Sequence, residues 1–284
     1  MDSSNYPDIS ENTMPEDTQT IANDAGNALL VLRDAIDAIL PPAMELANSL
    51  AQSASMLLDC IIQLQLSSYS TERQTQLKSE YEKWGNYGWT LSPLCLNSDF
   101  PKCPETLEEA DALMLPLYND DALPDLFQEI CRLSDVPDTF SEAIWAFNSQ
   151  KFRACSLVAF SLIERTLILS QTLDSQMKEN RRVGNGGIQN VQKQYENAKS
   201  KDMFIYTWLL SHNVVSCLNS MYENSANFIH EPTLVNRHFI EHGMSNRFTT
   251  RTECIKLFLV YYNLLFLTDW LKDQVSKSAE KPEV

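Results

Sequence analysis

The segment FRACSLVAFSLIERTLIL, Phe152–Leu169, is the stretch from which the fold of this chain is most directly predicted. It is apolar on nearly every side of a helix, as is typical of a helix buried in the middle of a protein. We therefore predict a central core helix over residues 151–177. The charged pair Glu164–Arg165 interrupts this helix, and charges in such a position usually need partners.

Helical periodicity continues on both sides of the core helix, and no useful stretch alternates as a β-strand does. Two apolar N-terminal segments separated by Pro41–Pro42 predict a helical hairpin. The pairs Thr106/Glu109 and Thr250/Glu253 have capping-box spacing, which marks helix starts. The predicted fold class is all-α, a helical bundle with an N-terminal helical hairpin. Further helices are predicted over residues 70–84, 106–134 in short pieces, 137–147, 203–228, 231–243 and 250–270.

Composition divides the chain into five stretches. Residues 1–17 carry five acids and no basic residue, which predicts disorder. Glycines and prolines break the periodicity between residues 86 and 104, which predicts an irregular linker. The expected organisation is a disordered acidic tail (1–17), the hairpin followed by a charged, exposed helix (18–85), the linker (86–104), an all-α domain (105–276) and a short tail (277–284).

The chain of 284 residues is 44% hydrophobic, so it can bury a substantial core. It contains no run of eighteen apolar residues, and its acidic N-terminus is unlike a signal peptide. We therefore expect a cytoplasmic protein without a membrane span. The seven cysteines are an odd number without CxxC spacing, and we interpret them as reduced thiols that form neither a disulfide framework nor a zinc site.

The net charge of −16 is distributed unevenly. Residues 1–150 hold 6 basic and 25 acidic residues, whereas residues 151–284 hold 16 basic and 13 acidic residues. Binding to a phosphate backbone depends on Lys and Arg, so the chain as a whole is not expected to bind nucleic acid nonspecifically. The C-terminal half tolerates a polyanion, and the acidic N-terminal half suits a basic protein partner.

Residues 178–201 are the one locally basic segment, with six basic residues against two acids. The run Gly184–Gly187 predicts a flexible middle. The segment is interpreted either as a solvated connector or as a mobile arm that contacts RNA, and composition does not separate the two.

The window HEPTLVNRHFIEHG, His230–Gly243, contains three of the four histidines of the chain. Histidine exchanges protons near neutral pH, and a neighbouring arginine offers a planar cation that suits phosphate. The window therefore predicts acid–base chemistry on a phosphate, carried by Arg237, His238 and His242.

A structural role for the same residues remains open. Arg237 and Glu241 have the spacing of an ordinary ion pair on a helix. His242 precedes the predicted helix stop at Gly243, where a protonated histidine is favoured by the helix dipole. His238 and His242 share a helix face, but no acidic or Cys partner stands at a diagnostic spacing, so a metal site is not expected.

The array Arg237-His238-x-x-x-His242 resembles the signature of the HEPN superfamily, an arginine and a polar residue followed, after three residues, by histidine. The resemblance covers roughly residues 135–275 and includes Asn236, Gly243 and a core-helix glutamate, Glu164. It implies a HEPN-like helical domain over residues 105–276. It also implies metal-independent RNA cleavage in many members and nucleotide binding in others, with no cofactor.

In the implied mechanism, His242 is the general base or acid at the ribose 2′-hydroxyl and Arg237 holds the scissile phosphate. His238 orients the site or shares the proton transfer, with Asn236 and Glu164 in supporting roles. Such sites are commonly shared across a homodimer, which we expect to form through the C-terminal helices. On an ideal helix Arg237 and His242 lie about 140° apart, so they need two chains or a bent helix end to reach one substrate.

The acidic chain would admit RNA through a local basic patch, for which the candidates are Arg181, Arg182, Arg247 and Arg251. Glu164 serves either a structural ion pair, with Arg165, Arg237 or His242, or an orienting role in the site. The expected function is an endoribonuclease in bacterial stress or phage defence. The alternative is a non-catalytic HEPN-like module that binds a protein or nucleotide partner.

Overall fold

The structure is a computed structural model that describes residues 66–91, 102–171, 181–198, 203–224 and 226–279. All of them belong to one compact unit, Ile62–Val284. The acidic tail predicted over residues 1–17 lies outside the described residues. The same holds for the predicted hairpin, apart from its last residues, which enter a short 3-10 turn at Leu66–Ser68.

In these described ranges the chain forms α-helices and no β-strand, so the predicted all-α class is confirmed. The helices are α1 (Thr71–Asn86), α2 (Leu107–Met114), α3 (Leu123–Leu133), α4 (Pro137–Asn148), α5 (Phe152–Leu169), α6 (Asn185–Ala198), α7 (Ile205–Met221), α8 (Arg237–Glu241) and α9 (Arg251–Ala279).

Helix α5 is the predicted central helix, and it packs against both α4 and α9. It ends at Leu169, however, and the prediction that it continues to Met177 was wrong. Side-chain hydrogen bonds are made by the two residues that follow the helix. The Ser170 hydroxyl donates to the Thr166 carbonyl at 2.6 Å, and the Gln171 amide bonds both backbone groups of Arg182.

Helix α9 begins with the predicted capping box. The Thr250 N–H donates to Glu253 Oε2 at 2.8 Å, and the Glu253 N–H donates to Thr250 Oγ1 at 3.2 Å. The part of α9 from Arg251 to Asp273 is long and apolar enough to cross a membrane. Of its most apolar window, 78% is buried within the protein, which is also typical of a core helix.

An aromatic cluster joins α3, α4 and α9. The rings of Phe127, Phe140 and Phe147 each meet the ring of Phe258 edge to face, with centroids 5.3 to 5.6 Å apart. Edge-to-face pairs at such distances add to the free energy gained from burying the rings. The apolar spacing of α4 predicted its shared face, and the cluster shows what that face contacts.

Helix α1 begins where predicted, with the Ser70 hydroxyl accepting from the Arg73 N–H. The prediction that this helix is exposed was wrong, because Leu77, Tyr81 and Trp84 are buried. The helix packs closely on α7, although the segment 86–104, which was predicted as a linker, separates the two helices in the sequence.

Gly85 permits this close packing. A Cβ atom at Gly85 would lie 2.5 Å from the Asn213 carbonyl oxygen of α7 and 2.8 Å from the Ser216 Cβ atom. The Asn213 side chain then fixes the turn after α1, since its amide donates to the carbonyls of Tyr81 and Trp89.

Helix α6 replaces the flexible middle predicted for residues 178–201. It begins directly after Gly184, whose φ of +54° suits glycine, and it buries Ile188, Val191 and Tyr195 along one face. The expectation of flexibility was wrong for this part, because the apolar spacing of three, four and seven outweighs the local effect of the glycines. Residues 178–180 and 199–201 lie outside the described ranges.

Candidate functional site

The short helix α8 carries the Arg–His motif and begins at Asn236. The Asn236 Oδ1 atom accepts hydrogen bonds from the N–H groups of His238 at 3.0 Å and Phe239 at 3.3 Å. Its amide nitrogen donates to the Glu223 carbonyl at 2.9 Å. Asn236 is therefore a buried helix cap. The prediction that the helix starts at Glu231–Pro232 was wrong, because the free amides of the first turn find their acceptor at Asn236, five residues after Glu231.

Gly243 ends α8, as the sequence predicts. Its φ is +67°, and the N–H of Met244 reaches back to the Phe239 carbonyl at 2.9 Å, which is the usual geometry of a glycine-terminated helix. His242 is the capping residue between the helix and this turn, with φ −86° and ψ 0°. His242 is thus the last residue before the chain leaves the helix.

His238 and His242 lie side by side on α8. Their rings are parallel within 2° and their centroids are 6.3 Å apart. His242 is exposed and His238 is half-buried. Burial, followed by the charge of Arg237, lowers the pKa of His238 below its ordinary value of 6.5. His238 is therefore a neutral imidazole at neutral pH, and it can accept a proton.

Phe228 flanks this histidine pair. Its ring meets the His242 ring edge to face at 5.6 Å and the Phe239 ring at 5.2 Å. Phe228 ends a turn in which Ala226, Asn227 and Phe228 have φ values of 43°, 58° and 62°. Each such non-glycine residue costs about 1–3 kcal/mol, so the surrounding contacts must hold this turn in place.

Arg237 reaches toward Glu164 of α5. Its Nη2 atom lies 2.9 Å from Glu241 Oε2, and its Nε atom lies 3.8 Å from Glu164 Oε2. Its guanidinium carbon lies 5.8 Å from the centre of the Tyr222 ring. The motif arginine is therefore paired with two carboxylates and stacked on an aromatic ring.

Glu164 joins the motif to the start of α6. Its Oε1 atom accepts a hydrogen bond from the Gly184 N–H at 2.6 Å, while Oε2 faces Arg237. Of the partners considered above, Glu164 takes Arg237, and Arg165 pairs instead with Asp135 at 2.5 Å. Glu164 therefore forms the ion pair with Arg237, and its other carboxylate oxygen is held by the backbone of Gly184.

Three buried polar atoms lie close together here: Arg237 Nε and Glu164 Oε2, which face each other at 3.8 Å, and the Tyr222 hydroxyl, which interacts with the same carboxylate. Burial, followed by the charge of Glu164, raises the pKa of Tyr222 well above its ordinary value, so this hydroxyl stays protonated. Two donors, the Arg237 Nε–H and the Tyr222 hydroxyl, thus lie near one acceptor, Glu164 Oε2. Sequence analysis missed Tyr222, since a tyrosine at the end of an apolar helix resembles ordinary core.

The four arginines proposed for RNA binding do not share one environment. Arg181 and Arg182 are exposed and precede Gly184, so they lie close in sequence to the Glu164 contact. Arg247 pairs with Glu253 at 2.6 Å and with Glu231 at 3.4 Å. Arg251 pairs with Asp120 and lies over the Phe147 ring. His230, the third histidine of the window, is exposed.

A separate cleft of about 230 Å³ lies between α1, α6 and α7. Its lining includes Lys78, Tyr195, Trp208 and His212, and none of the predicted site residues. No group of three His, Cys, Asp or Glu side chains is arranged to hold a metal ion within the described ranges.

Comparison of the chain with protein-family models, with curated proteins and with solved structures found no match. The function proposed below therefore depends on the motif and on the geometry of its site.

Proposed function

We propose that the protein is a metal-independent endoribonuclease of HEPN type. The observation that carries the proposal is the placement of Arg237 and His238 on the five-residue helix α8 and of His242 at its C-cap, with the two imidazoles parallel and the outer one exposed. Two imidazoles of different exposure can remove and supply protons near neutral pH.

In the proposed reaction, an imidazole takes the proton of a ribose 2′-hydroxyl, and the oxygen attacks the adjacent phosphorus. The bond from phosphorus to the 5′-oxygen breaks, and a second imidazole protonates the leaving oxygen. The products are a 2′,3′-cyclic phosphate and a 5′-hydroxyl. RNA is the expected substrate because only RNA has the internal 2′-hydroxyl.

In this proposal Arg237 binds the phosphate and stabilises its developing charge. Arg237 contacts Glu164 and Tyr222 whereas His242 contacts Phe228, so the two side chains have different neighbours within one chain. A homodimer in which α8 of one copy faces α8 of the other would bring Arg237 of one protomer to His242 of its partner. Exposed Arg181 and Arg182 are the proposed entry for the RNA backbone.

The test is cleavage of a labelled single-stranded RNA by purified protein in EDTA. We expect His242→Ala to lower the rate by about 10²–10⁴-fold, the usual contribution of a general acid or base. His230→Ala is the matched control, because it removes an exposed histidine of the same window and should leave the rate unchanged. Equal activity of wild type and His242→Ala would contradict the proposal.

A cellular experiment tests the bacterial stress or phage-defence role that we propose. Wild-type protein and His242→Ala are induced in a bacterial culture, and total RNA is separated on a gel. Growth arrest with fragmented RNA for wild type, and intact RNA for the variant, is the expected result. Normal growth and intact RNA in both cultures would contradict a constitutively active nuclease.

The second candidate is a non-catalytic interaction module for a protein or nucleotide partner. It is favoured by one observation, the pairing of Arg237 with both Glu164 and Glu241, which gives the motif arginine a structural role. This candidate predicts that His242→Ala leaves RNA intact and that a pull-down recovers one dominant partner in wild type and variant alike.

A further inference from the structure

The chain between α7 and α8 contacts the motif helix at three places. The Tyr222 ring lies beneath the Arg237 guanidinium at 5.8 Å, at the start of the helix. The Glu223 carbonyl accepts from the capping residue Asn236 at 2.9 Å. We name the described residues 222–224 and 226–228 the aromatic strap, because its first and last residues are aromatic.

The third contact lies at the other end of the helix. The Phe228 ring meets His242 at 5.6 Å, with an angle of 71° between the ring planes, and it also meets Phe239 at 5.2 Å. Phe239 is buried and cannot move freely, whereas His242 is exposed at the helix end. Phe228 therefore connects an exposed imidazole to the packed core.

The backbone of the strap is held in an uncommon conformation to make this contact. Ala226, Asn227 and Phe228 all have positive φ, and none of them is glycine. Such a turn persists only where neighbouring contacts over-determine it, and residues of this kind cluster at functional sites. The contacts of Phe228 with Phe239 and His242 hold the turn in this conformation.

We propose that Phe228 is a positioning residue that fixes the orientation of the His242 imidazole. An exposed histidine at a helix end samples several rotamers, and an edge-to-face aromatic contact at 4.5–7 Å selects among them. Tyr222 has the corresponding position beneath Arg237. The consequence for RNA cleavage rests on the proposed function, whereas the orientation of the imidazole does not.

The first measurement is spectroscopic and needs no activity. The Hε1 and Hδ2 resonances of His242, assigned with His242→Gln, carry a ring-current shift from Phe228. In Phe228→Leu we expect both resonances to move toward the values of a free histidine. Phe228→Tyr keeps the ring and should keep the shift. The matched control is Phe248→Leu, because Phe248 is 93% exposed and should not affect His242.

The second measurement is RNA cleavage by the same variants. Phe228→Leu is expected to lower kcat roughly 10- to 100-fold with little change in KM, as for a catalytic group displaced by about 1 Å. Phe228→Tyr should restore most of the rate. Circular dichroism of each variant establishes that the helices are retained.

The two measurements separate failure of this inference from failure of the proposed function. If Phe228→Leu leaves the His242 resonances unmoved, Phe228 does not position the imidazole and the inference is overturned. If wild type does not cleave RNA and the resonances still move, the positioning role stands and the ribonuclease proposal falls. If the resonances move while kcat is unchanged in an active enzyme, the orientation has no catalytic role and that part is overturned.

Discussion

Arg237 interacts with two carboxylates that differ in how firmly they are held. Glu241 lies on α8 itself, with 28% of its side chain exposed, whereas Glu164 is more buried and is also fixed by the Gly184 N–H. Partly exposed ion pairs contribute about 0–1 kcal/mol, so a phosphate can displace Glu241 at small cost. Glu164 would remain in place as the ion-pair partner of the Arg237 guanidinium. This arrangement is compatible with phosphate binding by the remaining guanidinium nitrogens.

The half-buried His238 leads to a prediction on stability and pH. Burial and the charge of Arg237 lower its pKa below the ordinary 6.5, although Glu241 and Glu164 act in the opposite direction. The unfolded chain therefore binds this proton more readily, and His238 makes the protein less stable as pH falls through about 6.5. At higher pH, where both states are neutral, this loss disappears.

We expect His238→Gln to gain stability relative to wild type when the pH is lowered from 7.5 to 5.5. Urea unfolding midpoints of both proteins at the two pH values measure the difference. His230→Gln is the control, because His230 is exposed and lies in the same window. A difference between His238→Gln and wild type that is the same at both pH values would show that His238 titrates alike in the folded and unfolded chain.

Sequence analysis identified some of these residues and missed others for a physical reason. The spacing of Arg237 and Glu241 on a helix is local, so their ion pair could be predicted. The partner of Glu164 depends on how α5 and α8 pack, and three candidates remained open. Phe228 and Tyr222 were missed because their roles arise from ring contacts across a loop, which no spacing rule encodes.

At the scale of the element, α8 is too short to form alone. Isolated helices below about 12–15 residues are marginal in water, and α8 has five residues. Its cap, its glycine stop and the burial of Phe239 and Ile240 must therefore stabilise it together. The motif residues are presented by an element that the surrounding structure holds in place.

This leads to a prediction for Asn236. Asn236→Ala removes the acceptor of two amides and the donor to the Glu223 carbonyl, and we expect a loss of about 1–3 kcal/mol in the free energy of unfolding. Asn236→Ser keeps a neutral cap acceptor and loses the donor to the Glu223 carbonyl, so its loss should be smaller. Denaturant unfolding measures both variants. An equal loss in the two variants would mean that the cap contributes nothing beyond the bond to Glu223.

Some helix starts and one helix end could be predicted from the sequence. The Thr250/Glu253 box, the Ser70 cap and the Gly243 stop follow from residues close in sequence. The start of α8 was misplaced although its cap, Asn236, is the residue directly before it. The end of α5 was misplaced, and the bonds of Gln171 to Arg182 that follow it are not visible in a local spacing. The run Gly184–Gly187 was interpreted as flexible, whereas the Gly184 N–H is bonded to Glu164 of α5.

At the scale of the molecule, charge limits how RNA can reach the site. The chain carries a net charge of −16, and Arg247 and Arg251 are paired with acids of their own surroundings. The long-range field of an acidic chain repels a polyanion. In the proposed function, capture of RNA therefore depends on local contacts near Arg181, Arg182 and α8, and it should weaken with salt less steeply than binding by a basic protein.

A buried charge network connects α2, the turn after α1 and α9, well away from the motif in sequence. The Lys256 ammonium is 2% exposed, lies 2.7 Å from Asp111 Oδ1 and faces the Trp89 ring at 4.9 Å. The Trp89 indole N–H donates to the same carboxylate oxygen at 2.7 Å. Burial lowers the pKa of Lys256, and the hydrogen bond and charge of Asp111 oppose that effect.

Replacing Asp111 should destabilise the fold more than replacing Lys256, because only the first change leaves a buried cation unpaired. Asp111→Ala leaves the Lys256 ammonium and the Trp89 N–H buried without an acceptor, and we expect a loss of about 3–5 kcal/mol in unfolding free energy. Lys256→Met keeps the side-chain volume and leaves Asp111 bonded to Trp89, so it should lose less. The double variant should be more stable than Asp111→Ala, because it contains no uncompensated cation. Urea unfolding of the four proteins measures this coupling, and a double variant whose losses simply add would show that Lys256 and Asp111 stabilise the fold independently.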